Sequence, residues 1–177
     1  MSMEKTVLHV DDDQAILDLV GMSLRKRGYT VISVCDPLTA IPILFKSRVR
    51  VLILDIDMPG MDGLTLLREI KQRDAGIKTI MLTGMVSMGT VLHATRLGAE
   101  ECVFKPINDL KSVGDAVERC FLNIDSWWDA LREWMDRNNE NASAIDGKKG
   151  RFISTKRTRA ESVQVFTAKC LTTARPS

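Results

Sequence analysis

Short apolar stretches at 6–10, 30–34, 51–54, 78–82 and 101–104 alternate with longer segments whose apolar residues recur every three or four positions. The run Val51-Leu52-Ile53-Leu54 carries no polar position, which fits a strand covered on both faces, as strands of parallel sheets are. Five βα units in succession imply one parallel sheet with right-handed crossovers. Ile16, Leu19, Val20 and Leu24 give the first helix its buried stripe, and Gly28 follows its basic end Arg25-Lys26-Arg27. Asp36-Pro37 reads as N-cap and first position of the second helix, which Pro42 is expected to kink or shorten. The third helix begins at Gly63 and runs through Leu64, Leu67 and Ile70. The fourth, near 86–97, contains Gly89 and few apolar anchors, so it should be the softest.

Polar residues cluster where the strands end. Asp55 closes the third apolar run and opens the turn from Ile56 to Gly63. An unpaired carboxylate inside such a core is costly, so Asp55 belongs at the carboxyl end of its strand, where open α/β sheets bind ligands. Asp11-Asp12-Asp13 follow the first run. Asp13 has an ordinary role as an N-cap, but Asp11 and Asp12 repel each other unless a positive group is shared between them. With Asp55 they offer the hard oxygen ligands that Mg²⁺ prefers; a solvated acidic cluster is the plainer alternative. Thr83, followed by Gly84, ends the fourth run with a hydroxyl able to donate to a phosphoryl oxygen. Lys105, followed by Pro106, ends the fifth with an ammonium able to pair with a carboxylate or a phosphate.

The order DD, LILDIDMPGMDG, LTG, FKP resembles the receiver domain of two-component response regulators over residues 4–122. The resemblance implies a flavodoxin-like fold, a five-stranded parallel sheet of order 2-1-3-4-5 with helices on both faces. It further implies that Asp55 accepts a phosphoryl group and that Asp11 and Asp12 are the acidic pair. Asp57 would complete a Mg²⁺ shell through its backbone carbonyl. Thr83 would be the switch hydroxyl and Lys105 the charge-balancing lysine, with Gly84 and Pro106 beside them. The implied partner is a sensor histidine kinase or phosphotransfer protein, and the implied activity is that of a self-phosphorylating and self-dephosphorylating switch rather than a turnover enzyme. Asp57 and Met85 occupy positions that could tune hydrolysis. One position departs from the family pattern. Where many receivers carry an aromatic residue three places before the lysine, this chain has Cys102, while Phe104 neighbours Lys105 and points to the opposite side. Either the output uses another surface change or Cys102 fills the space passively.

Composition adds limits. The chain has 177 residues, 45% of them hydrophobic, enough for one domain and an appendage. No apolar stretch approaches the ~20 residues of a membrane span, and the N-terminus lacks a signal peptide's apolar core, so a cytoplasmic location without membrane contact is expected. Cys35, Cys102, Cys120 and Cys170 lack metal-like or redox-like spacing and read as buried free thiols. His9 and His93 have no Cys or carboxylate partner suggested by the sequence and are assigned structural or surface roles.

The last third divides further. Leu110, Val113, Val117, Cys120, Ile124, Trp127, Leu131 and Trp134 recur at steps of three and four, an a/d pattern that runs past the end of a receiver. Residues 1–122 are therefore read as the receiver, 123–137 as a helical extension and 138–177 as a basic, polar, flexible tail. The extension either continues the fifth helix to about Arg137 and pairs with its copy through residues 110–134, or breaks near Asp125-Ser126 and folds back. Residues 1–136 hold 16 Lys and Arg against 20 Asp and Glu, whereas residues 137–177 hold 9 against 3. That basic remainder keeps a second function class open, a DNA-binding transcriptional regulator using the tail. Its forty residues lack room for a helix-turn-helix and show no aromatic interleaving, so nucleic acid is the less favoured partner.

Overall fold

The computed structural model describes residues 5–84, 87–106 and 110–147, with backbone alone for 139–147. Strands β1 (Thr6–Val10), β2 (Thr30–Val34), β3 (Val51–Asp55), β4 (Lys78–Thr83) and β5 (Glu101–Phe104) alternate with helices α1 (Gln14–Lys26), α2 (Pro37–Lys46), α3 (Gly63–Arg73), α4 (Met88–Arg96) and α5 (Leu110–Gly147). The strands form one parallel sheet in the order β2-β1-β3-β4-β5, the expected flavodoxin-like arrangement.

Side chains alternate across each strand, so the two faces of the sheet gather separate cores. Leu8, Leu52 and Met81 pack with Leu44 of α2, Leu66 and Ile70 of α3 and Ala94 of α4. On the other face Val7, Ile53 and Leu82 pack with Val20 and Leu24 of α1 and Val113, Val117 and Phe121 of α5. Each fully buried aliphatic side chain contributes roughly 1.5–3 kcal/mol. The helix starts are set locally. Asp13 accepts from the amides of Ala15 and Ile16, Asp36 from Leu38, Asp62 from Leu64 and Ser87 from Thr90. Gly28 follows α1 at φ +86°, a conformation that suits glycine.

Three expectations need correction. First, α2 passes through Pro42 and ends at Lys46; Pro42 is exposed, and the carbonyl that would lose its donor, that of Leu38 four residues earlier, belongs to another exposed residue. Second, α5 is unbroken at Asp125-Ser126 and continues past Arg137 to Gly147, so residues 138–147 are helix rather than tail. Asn138 lies within the helix with its side-chain amide donating to the Trp134 carbonyl at 2.8 Å, and Ala142 and Ala144 beyond it are strong helix formers. Residues 148–177 lie outside the described residues. Third, Cys35 is exposed and Cys102 half-buried; only Cys120 is a buried thiol, and Cys170 lies outside the described residues.

The chain divides into two units after Asp129, and of the second only residues 130–147 are described. In the first, the a/d stripe of α5 changes role along its length. Val113, Val117 and Cys120 are buried against the sheet, whereas Trp127 is 73% exposed. In the second, Leu131 and Met135 are half-buried and Trp134 is exposed. No described helix is long and apolar enough to cross a membrane.

Candidate phosphoryl and metal site

The strand order brings the carboxyl ends of β1, β3 and β4 side by side, with β5 next to β4. Asp11 follows β1 and is held there by its amide, which donates to the Val34 carbonyl at 3.2 Å. Asp55 is the last residue of β3, and the amide of Ile56 after it bonds the Leu82 carbonyl at 3.1 Å. The amide of Lys105 donates to the Thr83 carbonyl at 2.8 Å, which fixes where the lysine leaves the sheet. Asp11 and Thr83 are completely buried and Asp55 is 2% exposed.

Side chains from three elements meet here. Carboxylate oxygens of Asp11, Asp12 and Asp55 all lie within 4.8 Å of one another. Lys105 Nζ stands 2.8 Å from Asp11 Oδ2 and 2.9 Å from Asp55 Oδ1. The other Asp11 oxygen, Oδ1, accepts from the Asp13 amide at 3.0 Å. Burial pushes the Asp11 carboxyl up, against the pull of Lys105 and the Asp13 amide. Burial works to lower the Lys105 ammonium as well, but its bonds to Asp11 and Asp55 outweigh that and hold it above its ordinary value.

Three clustered carboxylates against one ammonium leave an excess of negative charge, and the donors are hard oxygens, two of them from buried residues. A divalent, oxygen-preferring cation such as Mg²⁺ fits that donor set. Asp57 is exposed in the turn after β3 and its carboxyl is not among the clustered groups; the resemblance assigns it a role through its backbone carbonyl instead. The turn approaches β3 closely. The Gly63 amide donates to the Ile56 carbonyl at 2.9 Å, and a Cβ on Gly63 would lie 1.9 Å from the Asp55 carbonyl oxygen. Only glycine fits there.

Gly84 is exposed with open space where a side chain would be, and Lys105-Pro106 is a cis peptide bond. Met85 lies outside the described residues. Cys102 is half-buried against the core cluster that holds Met81 and Ala94. Burial raises its thiol pKa. Phe104 stands beside Thr83 in the strand register and is 42% exposed. The aromatic paired with Thr83 in register is therefore two residues beyond the place where many receivers carry one.

Sequence reasoning gave His9 a structural or surface role, and the structure buries it beside Asp11. His9 is fully buried with Nε2 3.9 Å from Asp11 Oδ2. Burial, and secondarily the charge of Lys105, lower its pKa to about 3, so the ring is neutral. The signal was present in the chain: residues two apart on a strand share a face, so His9 had to point the same way as Asp11.

Comparison with known proteins agrees with this geometry. Residues 7–117 match the response regulator receiver domain. Sporulation initiation phosphotransferase F of Bacillus subtilis is 32% identical over 66% of this chain and 94% of its own length. Transcriptional regulatory protein GlrR of Escherichia coli is 30% identical over 69% of this chain, and the match spans only 28% of that protein. Among solved structures, a response regulator receiver domain protein from Clostridium thermocellum is 25% identical, with a TM-score of 0.65 over 69% of this chain and 98% of that one. A CheY-like receiver domain protein from Methanospirillum hungatei is 28% identical, with a TM-score of 0.60 over 67% and 98%. With the sheet order, the clustered strand-end aspartates and the match over most of the chain in agreement, this protein belongs to the response regulator receiver domain family.

Proposed function

We propose that the protein is a phosphorylation-controlled switch in which Asp55 takes a phosphoryl group from a phosphohistidine on a partner kinase or phosphotransfer protein. The observation that carries this reading is the buried Asp55 carboxylate at a strand end, with Lys105 Nζ at 2.9 Å and Asp11 and Asp12 clustered around it. An Asp55 oxygen forms the new bond to phosphorus as the P–N bond breaks, and the bonding pair returns to the imidazole nitrogen of the partner. Such a transfer depends mainly on positioning and charge neutralisation. Mg²⁺ held by Asp11, Asp12, Asp55 and the Asp57 carbonyl would supply the positive charge that offsets repulsion between carboxylates and phosphoryl oxygens. Lys105 balances a further charge. Thr83 then donates its hydroxyl to a phosphoryl oxygen, which draws the loop after β4 and changes the surface near α4 and β5. Hydrolysis of the acyl phosphate resets the switch.

Labelling with a small phosphodonor such as acetyl phosphate tests this. One phosphoryl group per chain is expected in the presence of Mg²⁺, seen by intact mass, and none in Asp55→Ala. Equal labelling of the variant would sink the proposal.

The output we infer is self-association or binding of another signalling protein through the exposed part of α5. The sequence pattern offered residues 110–134 for pairing, but Val113, Val117 and Cys120 already serve the receiver core. Ile124 also packs against that core, so the exposed aromatics Trp127 and Trp134 are what α5 leaves for a partner. A DNA-binding output rests on the charge of the remaining tail, and absence of binding at low salt would remove it.

A further inference from the structure

His9 is an anomaly on its own strand. On that face of the sheet Val7, Val51 and Ile53 are buried and apolar, Ser33 stands beside it on β2 and is exposed, and Asp11 follows two residues on. A polar ring in such surroundings is expected to be hydrogen-bonded. Neither ring nitrogen of His9 makes a hydrogen bond, and Nε2 has only the 3.9 Å approach to Asp11 Oδ2. An aliphatic residue would suit the face better, so the imidazole points to a second arrangement of the site in which it is used.

The geometry identifies the group it would use. Asp11 Oδ2 is shared unequally: Lys105 Nζ is at 2.8 Å, and His9 Nε2 waits at 3.9 Å, just beyond hydrogen-bond reach. Asp11 Oδ1 is occupied by the Asp13 amide. The Lys105 ammonium spans Asp11 and Asp55, so any pull toward an anion on Asp55 draws it from Asp11. A buried Asp11 oxygen would then lack a donor unless another replaces Lys105. A neutral imidazole carries one N–H, enough for that purpose.

We propose that His9 is a positioning residue that takes over Asp11 Oδ2 through its Nε2–H when Lys105 turns to a phosphoryl group on Asp55. The handover keeps Asp11 oriented toward a bound cation in the phosphorylated state, as outer partners of metal-ligating groups commonly do. It rests on the reading that Asp55 accepts the phosphoryl group. Lys105 and His9 thus alternate on a single oxygen, one in the resting state and one in the active state.

Nitrogen and proton NMR of the full chain tests the handover, with beryllofluoride and Mg²⁺ standing in for the phosphoryl group and its cation. The chain has two histidines, and the exposed His93 on α4 serves as an internal reference. Beryllofluoride binding is read independently from the amide shifts of Asp55 and Thr83. On binding, the His9 Nε2–H proton is expected to move downfield into the range of charge-assisted hydrogen bonds. Amide shifts with an unchanged Nε2–H, or a His9 protonated only on Nδ1, would overturn the handover while leaving the phosphoryl reading intact. No amide shifts would overturn both. A second arm uses His9→Leu, whose apolar side chain suits the face. Its apparent affinity for beryllofluoride at saturating Mg²⁺ should fall about tenfold, while Mg²⁺ affinity without beryllofluoride stays within about twofold. Equal losses in both states, or none, would count against the proposal.

Discussion

Lys105 neutralises two aspartates that would otherwise stand buried against each other. Removing one partner of a buried ion pair leaves an uncompensated charge, which costs about 3–5 kcal/mol. Lys105→Ala should therefore lower the urea-unfolding free energy of the metal-free protein by about 3 kcal/mol, with partial recovery on adding Mg²⁺. No loss without Mg²⁺ would show that the ammonium is not needed to offset the buried Asp11 and Asp55 carboxylates. His9 gives a pH dependence of definite sign. Its pKa falls from 6.5 unfolded to about 3 folded, so between those values the unfolded chain holds a proton that the folded chain does not. Stability must fall as pH drops through that window, by up to roughly 1.4 kcal/mol per pH unit. Asp11, whose carboxyl is raised, works the other way, costing stability as pH rises above its unfolded value. Comparing His9→Leu with the parent in chelator isolates the histidine. The variant should lose its acid slope between pH 6.5 and 4, and an unchanged slope would show that the ring is protonated in the fold.

Elements place these residues through close backbone approaches that a side chain would prevent. The turn after β3 folds α3 back so tightly that a methyl group on Gly63 would overlap the Asp55 carbonyl oxygen at 1.9 Å. The obstacle is backbone and cannot swing away. Gly63→Ala should cost roughly 1–3 kcal/mol and displace the acceptor, read as a lower melting temperature together with weaker phosphodonor labelling. Gly114 makes a useful contrast. A Cβ there would lie 2.2 Å from the Arg27 guanidinium carbon, but that group is the end of a flexible side chain bonded to Asp115 at 2.9 Å. Gly114→Ala should displace Arg27 and leave labelling unchanged. Equal effects of the two substitutions on labelling would mean that the α3 turn does not set the position of Asp55.

At the scale of the whole molecule, α5 serves two purposes with one sequence pattern. Its first turns complete the core over the sheet, and its later turns expose Trp127 and Trp134, residues more typical of interfaces than of a free surface. Light scattering should give the mass of one chain, 19.8 kDa, for the free protein and twice that with Mg²⁺ and beryllofluoride. Leu131→Asp should keep it at the single-chain mass, and a single-chain mass for the parent under both conditions would sink self-association as the output. Much of this molecule was legible along the chain. The five apolar runs, the capping residues Asp13 and Asp36, and the polar residues closing each strand follow from local periodicity and hydrogen bonding, which depend only on near neighbours. A parallel sheet followed from consecutive βα units, and its order was implied by the resemblance to receiver domains. Three features depended on distant groups. Whether α5 broke near Asp125 was undecided because Asp and Ser are equally compatible with an N-cap and with an exposed helical surface. Its shared stripe gave no sign of which half the sheet would cover. Asp11, Asp12, Asp55 and Lys105 could be grouped from strand ends, but which oxygen the ammonium holds, and that His9 waits behind the same oxygen, was decided only when packing brought three strands together and fixed the side chains between them.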